Sequence, residues 1–334
     1  MKKVLIIRFS SIGDIVLTSP VIRCLKEYYP ETEIHYLTKK SFSPVLKANP
    51  YITKIHEFDD DLGSTIHDLQ TEAFDFIVDL HRNLRSRIVK TRLQKPSGTF
   101  SKLNRSKWIL VNAKINLLPD VHLVERYFNA VEKLGVSYDG QGLDYYISGE
   151  EQMNMNELIP YDFHERYMLV VVGGKHRTKQ IPEHKLLRIC NEAGYPVILS
   201  GGQEDKQQAE TVAGQLKVPV YNACGRHSIN ESAFFVKKAS VVLSPDTGLM
   251  HIAAAFRKPL VTLWGNTVPE FGMYPFLSDE NQDIYRIHEI KDLNCRPCSK
   301  IGFERCPQGH FRCMNEIKEE DVLQSIREVT NIYK

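Results

Sequence analysis

The sequence lacks several features that would assign it to a common class. No apolar run in its 334 residues approaches the length of a membrane-spanning helix, and the short apolar run after Met1 is too brief for a signal peptide. The formal net charge is only +2, so the overall charge gives no reason to expect a nucleic-acid partner. These absences favour a cytoplasmic protein, and the seven cysteines agree with a reducing compartment.

Two common nucleotide-binding motifs are absent as well. The loop after the first predicted strand contains a single glycine, Gly13, and not the pattern G-x-G-x-x-G, which argues against a nicotinamide dehydrogenase. The glycine-rich loop 173–179 contains no Gly-Lys-Ser or Gly-Lys-Thr, so it is not a Walker A loop. Any nucleotide must therefore be bound in another way.

Short apolar runs alternate with helical patterns along the chain. The runs lie at residues 4–7, 34–37, 55–58, 76–80, 167–172, 197–200, 240–243 and 260–265. This order predicts an α/β protein with two doubly wound, Rossmann-like domains. A polar stretch at about 136–165 predicts the linker, so we expect an N-terminal domain at 1–155 and a C-terminal domain at 156–316. An amphipathic helix is expected over 317–334 and is predicted to pack back on the N-terminal domain.

Asp14 lies just beyond the first predicted strand. Ligands of doubly wound sheets bind at the carboxyl ends of the strands, and a carboxylate there can accept a proton from a hydroxyl as a general base. An aspartate at this position can equally cap or begin a helix. The residues alone leave both roles open.

Residues 82–107 carry many positive charges and no Asp or Glu. The cations are Arg82, Arg85, Arg87, Lys90, Arg92, Lys95, Lys102, Arg105 and Lys107. Such a stretch could bind anionic sugars, lipid phosphates or an anionic membrane surface. The alternative is a solvated loop and helix face without a ligand.

The stretch 244–251 joins the end of a buried strand to the start of an alanine-rich helix. Asp246 and Thr247 are typical N-cap residues, and Gly248 lets a ligand approach the backbone closely. Thr247 and His251 are four residues apart and share a helix face. Since the free N–H groups at a helix start bind anions, the stretch predicts a phosphate site. An ordinary capped helix with a partly buried histidine is the alternative.

Two further loops suit a phosphorylated nucleotide. Loop 173–179 is glycine-rich and basic, which fits a diphosphate, although a basic surface turn has the same composition. After the next predicted strand, Glu204 or Asp205 could accept hydrogen bonds from ribose hydroxyls. Acidic residues also occur in the first turn of a helix without any ligand, and the sequence does not decide between the two carboxylates.

Four of the seven cysteines are grouped near the end of the chain, at Cys295, Cys298, Cys306 and Cys313. Four thiols are enough for a tetrahedral, structural zinc ion, and His310 could replace one of them. Reduced cysteines, or disulfides under oxidation, are the alternatives.

In combination, these motifs resemble the lipopolysaccharide heptosyltransferases, family 9 of the glycosyltransferases. The resemblance covers nearly the whole chain and depends on the order and spacing of its motifs. These are Ser10-Ser-Ile-Gly-Asp14, Lys179 with Ile181-Pro182, Gly201-Gly202 with Glu204, and Asp246-Thr-Gly248 with His251.

The resemblance implies a GT-B fold, in which two Rossmann-like domains face each other across a cleft. It implies an inverting transfer of heptose from ADP-heptose, bound by the second domain, to the Kdo or heptose of a lipid A–Kdo core, bound by the first. No catalytic metal and no nucleic acid would take part. The enzyme would be cytoplasmic and peripherally associated with the inner membrane.

The resemblance also implies roles for particular residues. Asp14 would be the general base, and Lys179 would neutralise the departing diphosphate. Donor contacts are expected from Gly173, Gly174, Thr178, Glu204, Asp246, Thr247, Gly248 and His251. Acceptor contacts are expected from Ser10, Ser11, Gly13, Arg82, Arg85, Arg105 and Lys107.

Two other functions fit the same sequence features. A nucleotide-sugar epimerase or hydrolase of similar fold would need no lipid acceptor, so the basic stretch in the first domain would lack a purpose. A non-catalytic protein that binds a sugar nucleotide or a lipid core would keep its biological effect after substitution of Asp14.

Overall fold

The computed structural model describes residues 1–59 and 61–332. The chain divides into two compact units, of which the first contains residues 1–102 and 121–148 and the second contains residues 103–120 and everything from 149 onward. The junction at 148–149 falls inside the predicted linker, a few residues before the predicted boundary. The segment 103–120, which the sequence placed in the N-terminal domain, belongs to the second unit because Leu110 packs there with Val268 and Phe271.

The first unit contains one parallel five-stranded sheet. Its strands are β1 (Lys3–Ile7), β2 (Glu33–Lys39), β3 (Lys54–Phe58), β4 (Phe76–Asp79) and β5 (Ser97–Thr99), in the order β3-β2-β1-β4-β5. The apolar runs of β1 and β4 form central strands that are buried on both faces, as expected for parallel strands. The carboxyl ends of β1 and β4 are neighbours, since Ile7 pairs with Asp79.

The helices between and after these strands, up to residue 128, are as follows. They are α1 (Ile12–Val16), α2 (Ser19–Tyr28), α3 (Leu62–Thr71), α4 (Leu84–Leu93), α5 (Asn104–Ala113) and α6 (Leu123–Phe128), of which α5 belongs to the second unit. Helix α4 is capped by the Asn83 side chain, which accepts a hydrogen bond from the Ser86 N–H at 2.9 Å. The loop between β4 and α4 is thereby held in a defined conformation.

The second unit contains a parallel six-stranded sheet. Its strands are β6 (Met168–Val171), β7 (Val197–Ser200), β8 (Val220–Asn222), β9 (Val241–Pro245), β10 (Leu260–Trp264) and β11 (Tyr285–Glu289), in the order β11-β10-β9-β6-β7-β8. The helices of this unit after α5 are α7 (Gly149–Met155), α8 (Glu183–Glu192), α9 (Lys206–Ala213), α10 (Ile229–Lys238), α11 (Gly248–Ala255), α12 (Arg312–Asn315) and α13 (Glu319–Ile332). Two doubly wound units are thus present, as the alternation of apolar runs predicted.

Helix α13 was predicted to pack on the N-terminal domain, and the structure shows its apolar side chains Val322, Leu323, Ile326 and Val329 buried in the core of the second unit. The buried Lys185 of α8 holds the start of this helix, because its ammonium group donates to the Ile317 carbonyl at 2.5 Å and to Glu319 at 2.9 Å. The last two residues of the predicted span, Tyr333 and Lys334, lie outside the described residues.

Among the described residues, no helix combines the length and the apolar character that crossing a membrane would require.

Candidate functional site

Asp14 lies in the first turn of α1, directly after the carboxyl end of β1. One carboxylate oxygen pairs with the Arg8 guanidinium at 2.5 Å, and the other accepts hydrogen bonds from the Ser11 hydroxyl at 2.8 Å and the Ser11 N–H at 3.2 Å. The side chain keeps 19% of its surface exposed, so solvent or a substrate can reach it. Asp14 therefore completes the helix start and also presents an accessible carboxylate, and its role as a general base stays a prediction.

Arg8 is a member of this site that the sequence analysis missed. It is buried, and its guanidinium also donates to the Leu80 carbonyl at 2.6 Å and the Tyr127 hydroxyl at 2.9 Å. Its Nε atom donates to the Ser10 carbonyl at 2.8 Å. A buried cation with fixed partners holds the Asp14 carboxylate in one orientation. The available signal was a lone arginine at the end of an otherwise apolar strand.

His81 is a second neighbour that the sequence analysis did not single out. It follows β4, its ring lies 5.0 Å from the Phe9 ring, and its Nδ1 atom is buried without a hydrogen-bond partner among the described residues. Burial and the positive charge of Arg8 lower the pKa of His81 to about 4. The imidazole is therefore neutral at physiological pH and can exchange hydrogen bonds with a neutral hydroxyl.

Arg82 begins the basic stretch at the carboxyl edge of the same sheet. Its backbone N–H donates to the buried Asp79 carboxylate at 2.7 Å, and its guanidinium donates to the Phe100 carbonyl at 2.8 Å. Asp79 also accepts from the Ser86 hydroxyl and the Lys90 ammonium, each at 3.0 Å. The Asp79 carboxylate thus fixes the loop between β4 and α4 and holds Arg82 and Lys90 beside it.

A cavity of about 500 Å³ opens beside this loop. Its lining consists of Asp79, Arg82, Asn83, Leu84, Arg87, Lys90 and Thr99. Three of these side chains are cationic, and the one acidic group is buried and already paired, so the cavity favours an anion. Arg85 is not part of the lining, and its guanidinium lies 5.8 Å from the Phe58 ring centre.

In the second unit, Lys179 and Asp246 form an ion pair at 2.5 Å. The loop after β6 supplies the lysine, and the loop after β9 supplies the aspartate. The Thr267 hydroxyl donates to the same carboxylate oxygen at 2.9 Å, which brings in the loop after β10. Three loops at the carboxyl edge of one parallel sheet therefore converge on one charged group, the expected location of a ligand site in this fold. Thr267 was not among the predicted site residues.

The start of α11 lies beside this ion pair. Thr247 takes the extended N-cap conformation, but its side chain does not cap the helix and instead shares a hydrogen bond with the Ser244 hydroxyl at 3.0 Å. The side chain of Asp246 is bound by Lys179 and Thr267. The expected capping by Asp246 or Thr247 is thus not made by either side chain, which leaves the first N–H groups to an anion or to water. His251 is buried one turn further along.

Asp205 and Glu204, which the sequence could not distinguish, have different surroundings. Asp205 is buried, accepts from the Gly202 N–H at 2.8 Å and from the Gln180 amide at 3.3 Å, and burial raises its pKa. Its carboxylate lies so close to Gly173 that a Cβ atom there would come within 1.9 Å of it. Asp205 therefore joins the loops after β6 and β7, while Glu204 is exposed.

Comparison with known proteins places this arrangement in a family. Residues 62–300 match the model of glycosyltransferase family 9 (heptosyltransferase). The chain belongs to glycosyltransferase family 9. It is 24% identical to lipopolysaccharide heptosyltransferase 1 of Campylobacter coli, with 98% of each chain covered. The family resemblance seen in the sequence motifs is thereby confirmed.

Solved structures of family-9 proteins show the same fold. The family-9 glycosyltransferase of Veillonella parvula superposes with a TM-score of 0.81 at 20% identity, over 99% of this chain and 98% of that one. The ADP-heptose lipopolysaccharide heptosyltransferase II of E. coli gives 0.75 at 19% identity, over 100% and 99% of the two chains. The predicted GT-B fold is therefore confirmed.

Two predicted site residues of this family-9 chain are engaged elsewhere. Thr178 is buried, and its hydroxyl donates to the Phe303 carbonyl at 3.0 Å and accepts from the Phe303 N–H at 2.8 Å. Its side chain thus anchors the cysteine-rich segment, and its contact with the donor stays a prediction. Lys107 lies in the second unit, with its ammonium 5.3 Å from the Phe271 ring centre. Arg105, on the same helix, is likewise not part of the first unit that was predicted to bind the acceptor.

The cysteine-rich segment of the family-9 chain has little regular structure. Its four cysteines form no disulfide bond, Cys313 is buried, and the Cys295 sulfur lies 3.9 Å from the His310 Nε2 atom. Burial together with the neighbouring thiols raises the pKa of Cys298 and of Cys313. No three of the four sulfurs lie within 4.8 Å of one another.

One group of three potential ligands among the described residues does meet that distance, namely His35, His56 and Glu72. Its members already satisfy one another, since the two histidines share a hydrogen bond of 2.9 Å and Glu72 is paired with Lys3 at 2.8 Å and with Lys54. Burial lowers the pKa of His56 to about 4, so the pair is neutral at physiological pH. This cluster is explained as a structural network.

Proposed function

We propose that this family-9 glycosyltransferase transfers a heptose from ADP-heptose to the Kdo or heptose of the lipopolysaccharide inner core, with inversion and without a catalytic metal. The acceptor would be a lipid A–Kdo core at the inner leaflet, so the enzyme would work in the cytoplasm as a peripheral membrane protein. The observation that carries the proposal is the Lys179–Asp246–Thr267 group beside the uncapped start of α11.

The second unit would hold the donor. When ADP leaves, negative charge develops on its diphosphate, and fixed positive charge and oriented N–H groups stabilise that charge best in a site that needs no reorganisation. Lys179 supplies the charge, and Thr247 and Gly248 open the helix that supplies the N–H groups. Asp246 and His251 would lie near the sugar. Gly173 and Gly174 would allow the backbone to approach the phosphates.

Glu204 is the carboxylate that we propose for the ribose, because it is exposed while Asp205 is buried and bound. Glu204→Gln should weaken ADP binding about tenfold, since a charged hydrogen bond to a hydroxyl becomes a neutral one, with no change in thermal stability. Asp205→Ala should instead lower the stability by about 1–3 kcal/mol, because the Gly202 N–H and the Gln180 amide lose their partner. Calorimetric ADP titration and thermal unfolding of both variants check the assignment, which fails if the two effects are exchanged.

The first unit would bind and activate the acceptor. Asp14 would take the proton of the attacking hydroxyl, with Ser10, Ser11 and Gly13 shaping the loop around it. Arg82 and Arg85 would contribute to a site for the anionic acceptor. The cation-lined cavity beside Asp79 would bind a phosphate or a sugar carboxylate of that acceptor. Arg105 and Lys107, which were also predicted to contact the acceptor, belong to the second unit.

The decisive experiment is a transfer assay with the purified full-length chain. A panel of ADP- and UDP-sugars is offered with purified core acceptors, and the product is identified by mass and by the configuration of the new bond. The proposal expects transfer from ADP-heptose that depends on the acceptor. Sugar release without an acceptor would indicate a hydrolase, a change in the sugar alone would indicate an epimerase, and ADP-sugar binding without turnover would indicate a binding protein.

We also propose that Cys295, Cys298, Cys306 and Cys313 hold a structural zinc ion. Their grouping in one short segment with little regular structure supports this assignment, and burial, together with the neighbouring thiols, raises the pKa of Cys298 and Cys313. Zinc–sulfur bonds of about 2.3 Å would require the thiols to approach one another.

Metal analysis of the native protein should find about one zinc ion per chain. Cys298→Ser should lose the ion and melt at a lower temperature, while Cys224→Ser, a cysteine outside the group, should keep it. A metal-free protein of full stability would remove the proposal.

A further inference from the structure

The segment that follows the basic stretch presents large apolar side chains to water. Trp108 is 62% exposed, Ile115 is 55% exposed and Leu117 is 57% exposed. We propose that the exposed side chains of Trp108, Ile115 and Leu117 dock this protein on a bilayer of anionic phospholipids. This inference rests on the proposed function, in which the acceptor is a lipid.

The exposed side chains are held in place by the rest of the segment. On the inner side of α5, Leu110 is buried against Val268 and Phe271, and Val111 packs against the same cluster. Trp108 points away from this cluster, because it shares a helix face with Arg105 and Asn112 at spacings of three and four residues, and both of these are exposed. The tryptophan therefore faces solvent because its helix is docked on the opposite side.

Ile115 and Leu117 lie between two fixed points. The Lys114 ammonium donates to the Val111 carbonyl at 2.8 Å and to the Pro297 carbonyl at 2.6 Å, which fixes the end of α5. Leu118 packs back on the cluster around Val268, and its N–H donates to the Asn116 side chain at 3.0 Å. Between these points, the side chains of Ile115 and Leu117 are exposed to solvent.

The charge of the same segment identifies the partner. Residues 103–119, which all belong to the second unit, contain no Asp or Glu, and their cations are Arg105, Lys107 and Lys114. Within the α5 segment itself, Arg105 flanks the tryptophan. An exposed tryptophan with aliphatic neighbours and adjacent cations has the composition of an interfacial membrane anchor, where the apolar groups enter the headgroup boundary and each cation strengthens binding roughly fivefold.

The test uses vesicles of phosphatidylglycerol and phosphatidylethanolamine, compared with vesicles of phosphatidylcholine, and the full-length protein. The wild type should sediment with the anionic vesicles and not with the neutral ones. The double variant Trp108→Ala, Leu117→Ala should partition at least about tenfold less, because two large apolar groups no longer leave water. Tyr161→Ala is the matched control, since Tyr161 is an aromatic residue of the same unit that is 87% exposed outside this segment.

Fluorescence gives an independent readout, because the protein has two tryptophans and Trp264 is only 1% exposed. Anionic vesicles should shift the emission of Trp108 to the blue, and brominated lipids should quench it. Trp108→Phe should bind as the wild type does and lose this response. The inference is overturned if the double variant binds vesicles like the wild type, if brominated lipid does not quench Trp108, or if the variant alters self-association instead, as light scattering would show.

The outcome for the proposed function is measured separately, as transfer to a water-soluble, delipidated core acceptor. Full transfer to this acceptor without any vesicle binding by the wild type would overturn the membrane inference and leave the function intact. Vesicle binding through Trp108 without transfer to any acceptor would refute the function and leave the docking surface standing.

Discussion

Asp14→Asn is expected to bind ADP as tightly as the wild type and to transfer sugar about 10²–10⁴-fold more slowly, the loss typical of a missing general base. The Asn side chain keeps an oxygen that can accept hydrogen bonds from Ser11 and Arg8, which both contact Asp14 in the structure. What it loses is the capacity to take a proton. The measurement is kcat at saturating donor and acceptor, together with calorimetric titration of ADP.

The control for this variant is Asp61→Asn. Asp61 also accepts a backbone hydrogen bond at a helix start in the first unit, from the Gly63 N–H at 2.8 Å. We expect full turnover from this variant. Because the Asp14 carboxylate compensates the buried Arg8, thermal unfolding of Asp14→Asn must be recorded as well. A well-folded Asp14→Asn enzyme whose kcat lies within a few-fold of the wild type would exclude Asp14 as the base.

Lys179→Met should lower kcat about 10²–10³-fold, the usual effect of removing one group that stabilises developing negative charge. It should also weaken ADP binding, because the Asp246 carboxylate then faces the diphosphate without its cation. The double variant Lys179→Met, Asp246→Asn separates the two effects. Removing the uncompensated carboxylate should restore part of the ADP affinity, whereas kcat should stay low because the cation is still missing.

Lys175→Met is the matched control for this prediction. It removes the same charge from the same loop, at an exposed position. If the two lysine variants show equal kcat values, the effect of Lys179 is one of general electrostatics, and its assignment to the leaving group is wrong.

The strands were the most predictable part of the fold. Central parallel strands must be apolar on both faces, so runs such as residues 4–7 and 197–200 are visible without any structural information. The loops at their carboxyl ends follow from the same pattern, which is why Asp14, Lys179 and Asp246 could be named as candidates. Their roles in catalysis remain predictions.

The features that were missed depend on contacts between distant parts of the chain. The position of α5 in the second unit is decided by Leu110 meeting Val268 and Phe271, more than a hundred residues away. The engagement of Thr178 by Phe303, and the burial of Asp205 beneath Gly173, are also set by such contacts. An amphipathic pattern correctly predicts that α13 buries one face, but it does not say which sheet receives that face.

The chain passes between the two units three times, after Lys102, after Asp120 and after Ser148. Neither half of the enzyme is therefore a continuous piece of the gene product. A fragment trimmed to the family match, residues 62–300, would discard β1, the middle strand of one sheet, and α13, which closes the core of the other. Domain dissection of this enzyme consequently has to proceed by rejoining segments and not by truncation.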